Sequence, residues 1–409
     1  MKKLIIPMLL ITALLSCKKT DDPPVLSPKS ISLSQAENRI VESSNQFGFE
    51  LMKKIDAAED ASTNVFISPL SIHMALAMTW NGAEGTTRDQ MAEAMNFPNM
   101  SAGEMNLSYK NLIHELLSVD EKVTMEVANS IWYRNTYVIN QAFIDTNTEY
   151  FDAVVQGVDF DNPNAKDIIN AWVADNTHGL IEEIIQEINA SHLMFLVNAI
   201  YFKGIWQNGF KKSNTEPTPF HMSTGSIKEV PTMFTKAEFA QTSAEDYHVI
   251  ELPYGRGNFS MLVFLPDGET SPGEVIASLN AQEWELLTGR LGQTYETELY
   301  LPKFSYEYEL EMNEVLISMG MEDAFAPSLA NFSGIADADL YLSEVKHKTF
   351  VEVNEEGTEA AAVTAVGVSL TSMPAYLPVF RVDRPFVFAL RETQTNTLLF
   401  LGKVEYPGE

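Results

Sequence analysis

The 409-residue chain contains one cysteine, Cys17, so no intramolecular disulfide can form and the fold must rest on burial and hydrogen bonding. Basic residues are scarce: 27 Lys and Arg stand against 56 Asp and Glu, a net charge of −29. Such a surface repels nucleic acid and anionic membranes. No basic run offsets it; even Lys211-Lys212 is diluted by acids. The seven histidines (73, 114, 178, 192, 221, 248, 347) include no pair three to five residues apart, which removes a zinc helix motif. There is no G-x-S-x-G elbow, no Walker A loop and no dinucleotide glycine fingerprint. Scattered carboxylates read as solvated surface. No enzyme, metal site or cofactor is expected. From Gln35 on there is no second linker, repeat or low-complexity tract, which predicts one large domain over 35–409.

Charge and proline are also missing from one stretch, Ala360 to Ser372, A-A-A-V-T-A-V-G-V-S-L-T-S. An uncharged, β-competent run is an aggregation hazard unless buried or held back. Before it, residues 351–358 alternate like a strand and reach Gly357, which tolerates any backbone angle. A buried strand or an Ala-rich helix over Glu359 to Ala365 accounts for this composition. So does a loop able to insert into a sheet. Period two fits the loop: Thr358, Ala360, Ala362, Thr364, Val366, Val368 and Leu370 are small or apolar, and the odd positions include Glu359, Ser369 and Thr371.

The N-terminus carries Lys2-Lys3, an apolar run from Leu4 to Leu15, then Ser16 and Cys17. The run is too short to span a bilayer and reads as a signal peptide over 1–16. Leu14-Leu15-Ser16-Cys17 resembles the lipobox of bacterial lipoproteins, which implies a lipidated Cys17, membrane attachment through its acyl chains, and a place at the cell envelope or surface. Residues 17–34, polar and rich in proline, read as an extended tether.

Farther on, Ile40, Ser44, Phe47, Leu51 and Ile55 share one helical face. Ser71 to Trp80 is an apolar helix, and Asp167 to Asn176 is a helix with Ile168, Trp172 and Val173 on its apolar side. Phe259 to Leu265 is a buried strand, Tyr295 to Leu301 alternates, and Phe386–Leu390 with Leu398–Val404 flank a hairpin turn. Helices dominate the first half and strands the second, an α+β pattern with antiparallel sheets.

Several ordered segments resemble the serpin family. Residues 64–72, N-V-F-I-S-P-L-S-I, are similar to the opening of serpin helix B. Residues 197–206, V-N-A-I-Y-F-K-G-I-W, resemble the strand crossing the upper main sheet. Residues 331–335, N-F-S-G-I, and 347–361, H-K-T-F-V-E-V-N-E-E-G-T-E-A-A, match the approach to the reactive loop. R-P-F-V-F at 384–388 and F-L-G-K at 400–403 match the C-terminal strands. Leu180 departs from the family's usual Lys. The resemblance implies a serpin fold of three β-sheets, eight or nine helices and an exposed reactive-centre loop. It implies a suicide-substrate inhibitor, not an enzyme: a protease acylates the loop, which then inserts into the main sheet and traps it. Such insertion is a form of β-strand addition, for which serpins themselves are a standard example.

Carried over residue by residue, the hinge begins at Glu355 and Gly357, and the even series from Thr358 to Leu370 inserts. Ser68, Asn198 and His347 match the polar cluster where strands part, and Trp206 the aromatic where the loop first enters. Ordinary core packing accounts for each of these four as well. Family spacing places the reactive bond between Thr371 and Ser372, within a window from Leu370 to Pro374. No Lys or Arg lies between Lys348 and Arg381, which disfavours a trypsin-like target. A small Thr371 suits an elastase-like or subtilisin-like serine protease, Leu370 a chymotrypsin-like or papain-like one. The protein is expected to act as a monomer. A serpin-fold binding protein that traps nothing is the alternative.

Overall fold

The structure, a computed structural model, describes residues 27–189, 192–358 and 377–408. Cys17, Ala360, Ala362, Thr364, Val366, Val368, Leu370, Thr371 and Ser372 lie outside the described residues, as do the alternative readings of the Ala-rich stretch.

The first long helix, Gln35–Ala58, starts where Ser34 and Glu37 form a reciprocal capping box, and it buries Ile40, Phe47, Leu51 and Ile55. The helix Pro69–Trp80 is buried on every face, as its all-round apolar sequence requires. In the helix Ala165–Asn176 the sequence reading needs a correction. Ile169 and Val173 are fully buried while Ile168 is 44% exposed, because the sheet meets the stripe that begins at Ala165.

The strands form two hydrogen-bonded sheets. One has six strands, in the order Phe304–Glu311, Lys346–Val353, Gly357–Thr358, Met194–Ile205, Val123–Arg134, Val154–Val158. The other has nine. Its path runs Val65–Ile67, Leu398–Val404, Phe386–Glu392, Phe259–Pro266, Tyr247–Tyr254, Ile227–Ser243, Thr294–Pro302, Val379–Arg381, with Glu216–His221 beside Ile227–Ser243. The family resemblance implies three sheets. In the 17-residue strand Ile227–Ser243, residues 232–240 pair with Thr294–Pro302 and residues 240–243 with Tyr247–Tyr254, so it joins two of them. Ten α-helices are present among the described residues, against eight or nine expected; two of them are short, Asn313–Ser318 and Glu322–Phe325.

The core lies between the sheets and the two N-terminal helices. Phe66 stacks between Phe388 and Phe400, with centroids 5.5 and 5.0 Å away. Strand Phe259–Pro266 is buried at every position, as expected.

The stretch read as a tether is not free throughout. From Ser27 it lies against the body, and Ile31 and Leu33 pack on the core.

Candidate functional site

Gly357 and Thr358 form a two-residue strand between strands Lys346–Val353 and Met194–Ile205, antiparallel to both. Thr358 pairs with Val353 on one side and Gly204 on the other. The two flanking strands run parallel to each other, and an isolated bridge joins Leu196 to Val345 at their far end. Between wedge and bridge, a cavity of about 20 Å³ remains under Thr358, lined by Phe202, Val351, Phe66, Phe400, Leu180 and Ile181. It has room for about one water.

Gly357 owes its place to the absent side chain. Its φ is +152°, and a Cβ there would collide with the Gly204 carbonyl oxygen. Thr358 points inward, and its hydroxyl is 2.8 Å from that of Tyr254. Trp206 stacks on Tyr254 at 4.3 Å and donates through Nε1 to the Asn354 carbonyl at 2.9 Å. The backbone N–H of Trp206 donates to Glu356 O and that of Phe210 to Glu355 O. Glu355 itself is held by Lys303 at 3.0 Å and by the Thr215 hydroxyl at 2.8 Å. Burial pushes the Glu355 carboxyl up, but its own backbone amide, Lys303 and Thr215 outweigh that, and its pKa ends below the ordinary value.

Ser68 and His347 meet farther down the sheet. The Ser68 N–H donates to His347 Nε2 at 3.2 Å, and the Ser68 hydroxyl donates to Leu399 O at 2.8 Å. Burial lowers the His347 pKa to about 3, so the ring is neutral. Accepting at Nε2 puts its proton on Nδ1. Asn198 stands opposite in the neighbouring strand, where its amide donates to Asn129 and its own Oδ1 is buried without a partner. The structure therefore brings Ser68 to His347, sets Asn198 opposite them, and places Trp206 apart at the other end of the strand beside Thr358.

Sequence reasoning missed Tyr254, Asn129 and Gly204. The last lets the Tyr254 ring pass 2.6 Å from where a Cβ would be. Their partners lie far away in sequence, so no local pattern marks them. Among the described residues no group of His, Cys, Asp or Glu could hold a metal, and no helix is long and apolar enough to cross a membrane.

A family model described as Serpin (serine protease inhibitor) matches residues 42–407. Serpin B6 of Macaca fascicularis is 35% identical over 378 residues, covering 90% of this chain and 99% of its own length. Among solved structures, the thermophilic serpin Tengpin in its native state superposes with a TM-score of 0.82 at 32% identity, over 93% of this chain and 97% of Tengpin. Human thyroxine-binding globulin superposes with a TM-score of 0.84 at 28% identity, over 91% and 100%. Proteins of this kind are generally protease inhibitors rather than catalysts. With matched segments running almost end to end, the chain belongs to the serpin family.

Proposed function

We propose that the protein inhibits a serine protease as a suicide substrate, with loop insertion as the trapping step. The observation that carries this is the wedge: Gly357 and Thr358 already sit in the sheet, in register with both flanking strands. Each two residues forward along the chain would step two residues back along each neighbour. Ala360 would enter between Phe202 and Val351, Ala362 between Ile200 and Thr349, Thr364 between Asn198 and His347, and Val366 between Leu196 and Val345. All four are small enough for the inward face that Thr358 occupies.

Insertion would pair a dozen residues on both sides, at about 0.5–1.5 kcal/mol per net hydrogen bond, which exceeds the ordering cost only if side chains fit. A protease acylated at Thr371 would be carried about 40 Å, thirteen residues at the strand rise. The small Thr371 and the lack of nearby Lys and Arg support an elastase-like or subtilisin-like target. The Leu-Leu-Ser-Cys run supports lipidation at Cys17 and work at the cell envelope.

Incubation with pancreatic elastase tests the trapping step. The expected result is a covalent complex that survives denaturation, and a released C-terminal fragment that begins at Ser372. Turnover of the loop with no covalent species would favour a serpin-fold binding protein, a reading that the likeness to thyroxine-binding globulin supports.

A further inference from the structure

The segment from Ser27 to Leu33 makes more specific contacts than a tether needs. The N–H of Lys29 donates to Asn258 Oδ1 at 2.8 Å, and its carbonyl accepts from Asn258 Nδ2 at 2.8 Å. Asn258 is fully buried, so its amide reads the strap backbone as a neighbouring strand would. Gln394 extends the same pattern: its Nε2 donates to Lys29 O, and the Ile31 N–H donates to its Oε1 at 3.1 Å. Arg256 Nε donates to Ser27 O at 3.2 Å, and Lys29 Nζ forms an ion pair with Glu121 at 2.7 Å. The bond from Lys29, then Glu121's own backbone amide and Arg256, bring the Glu121 carboxyl down to about 2.

These anchor points border the wedge. Asn258 and Arg256 belong to the turn after Tyr254, whose hydroxyl meets Thr358. The Gly255 N–H of that turn donates to Ile205 O, and the Gln207 N–H to Pro253 O, both at 2.8 Å. Glu121 lies two residues before strand Val123–Arg134, whose first residue pairs with Gly204. Asn258 and Gln394 are on hairpins of the nine-stranded sheet. The segment thus ties the top of the strand pair that must move for insertion to the sheet that need not.

We propose that residues 27–33 are a strap that restrains opening of the six-stranded sheet at its Thr358 end, so that releasing the strap speeds loop insertion. The proposal rests on the insertion reading above. Ser27 is ten residues beyond Cys17. A load on an anchored tether, or a cut within it, would therefore act first on this strap.

Two full-chain variants separate the contacts. Lys29→Pro removes both the N–H that Asn258 accepts and the ion pair with Glu121, and Lys29→Ala removes only the ion pair, so their difference reports the backbone bond. Hydrogen exchange followed by mass spectrometry reads the uncleaved protein. In Lys29→Pro, residues 27–33 lose protection and amides of 201–206 and 350–358 exchange on the order of tenfold faster, the signature of about 1.4 kcal/mol of lost restraint. Lys29→Ala gives a smaller rise in the same peptides. Loss of protection confined to 27–33 overturns the proposal, as does a wild-type segment with no protection at all. Melting of elastase-cleaved wild type separates the two ideas. No gain in melting temperature on cleavage sinks insertion itself, whereas a gain with unchanged exchange in Lys29→Pro sinks only the strap.

Discussion

The Thr358 hydroxyl lies 2.8 Å from the hydroxyl of Tyr254, the ring on which Trp206 stacks. This one contact fixes the inward register of every residue that would follow Thr358 into the sheet, since side chains alternate along a strand.

On the proposed mechanism, Thr358→Arg therefore turns the protein from an inhibitor into a substrate. The position is 5% exposed, and an unpaired guanidinium there costs several kcal/mol. Insertion then falls behind deacylation. Gel analysis with elastase should show cleaved protein and almost no covalent complex. Wild-type yields of complex would mean that the inward register is wrong.

Gly357→Ala expels the wedge. The new methyl would overlap the Gly204 carbonyl oxygen and demand a backbone angle that alanine avoids, a strain of about 1–3 kcal/mol. The uncleaved protein should melt at a lower temperature, and the Thr358 amide should exchange faster. An unchanged melting curve would show that the two residues do not support the sheet.

Stability should fall on mild acidification. Burial sets His347 at about 3, and burial, partly opposed by the backbone bond to Met95, sets His73 at about 4. Both values lie below the roughly 6.5 of an unfolded histidine. The unfolded chain thus binds the extra protons. The stability is whole above about pH 6.5 and is lost as pH drops toward 4 and 3, at about 1.4 kcal/mol per pH unit for each ring. His347→Gln retains an acceptor for the Ser68 N–H and should remove half of this slope. Urea midpoints between pH 5 and 6.5, compared between wild type and variant, measure it; parallel curves would refute the assignment.

The proposed lipidation predicts that Cys17→Ala releases the protein from membranes. Detergent partitioning of the variant should move it to the aqueous phase, and continued recovery with membranes would rule out Cys17 as the anchor.

Much of the fold was legible because it is periodic. Phe259–Pro266 is apolar except for Ser260 and is buried throughout, and the turn between Phe386–Glu392 and Leu398–Val404 carries its polar residues where the chain reverses. Ile168 misled because two adjacent isoleucines fit a helical stripe equally well until a sheet selects one. The site was legible only as a resemblance. Ser68 and His347 are 279 residues apart and Tyr254 and Thr358 are 104 apart, so their bonds leave no mark in a local window. The strap was hidden for another reason. Its partners grip main-chain groups of Lys29, and main-chain groups carry no sequence signature.

Thr358 and Val379, the described residues that flank the reactive segment most closely within strands, are fastened to different sheets: one to Met194–Ile205, the other alongside Thr294–Pro302. A cord clamped at both ends cannot be drawn through a slot, however favourable the slot. Cutting it anywhere between the clamps removes a geometrical prohibition rather than lowering an energy. On the proposed mechanism the attacking protease would not be merely the victim of the device. It would be the tool that unlocks it, and would remain attached to the strand that it had set free.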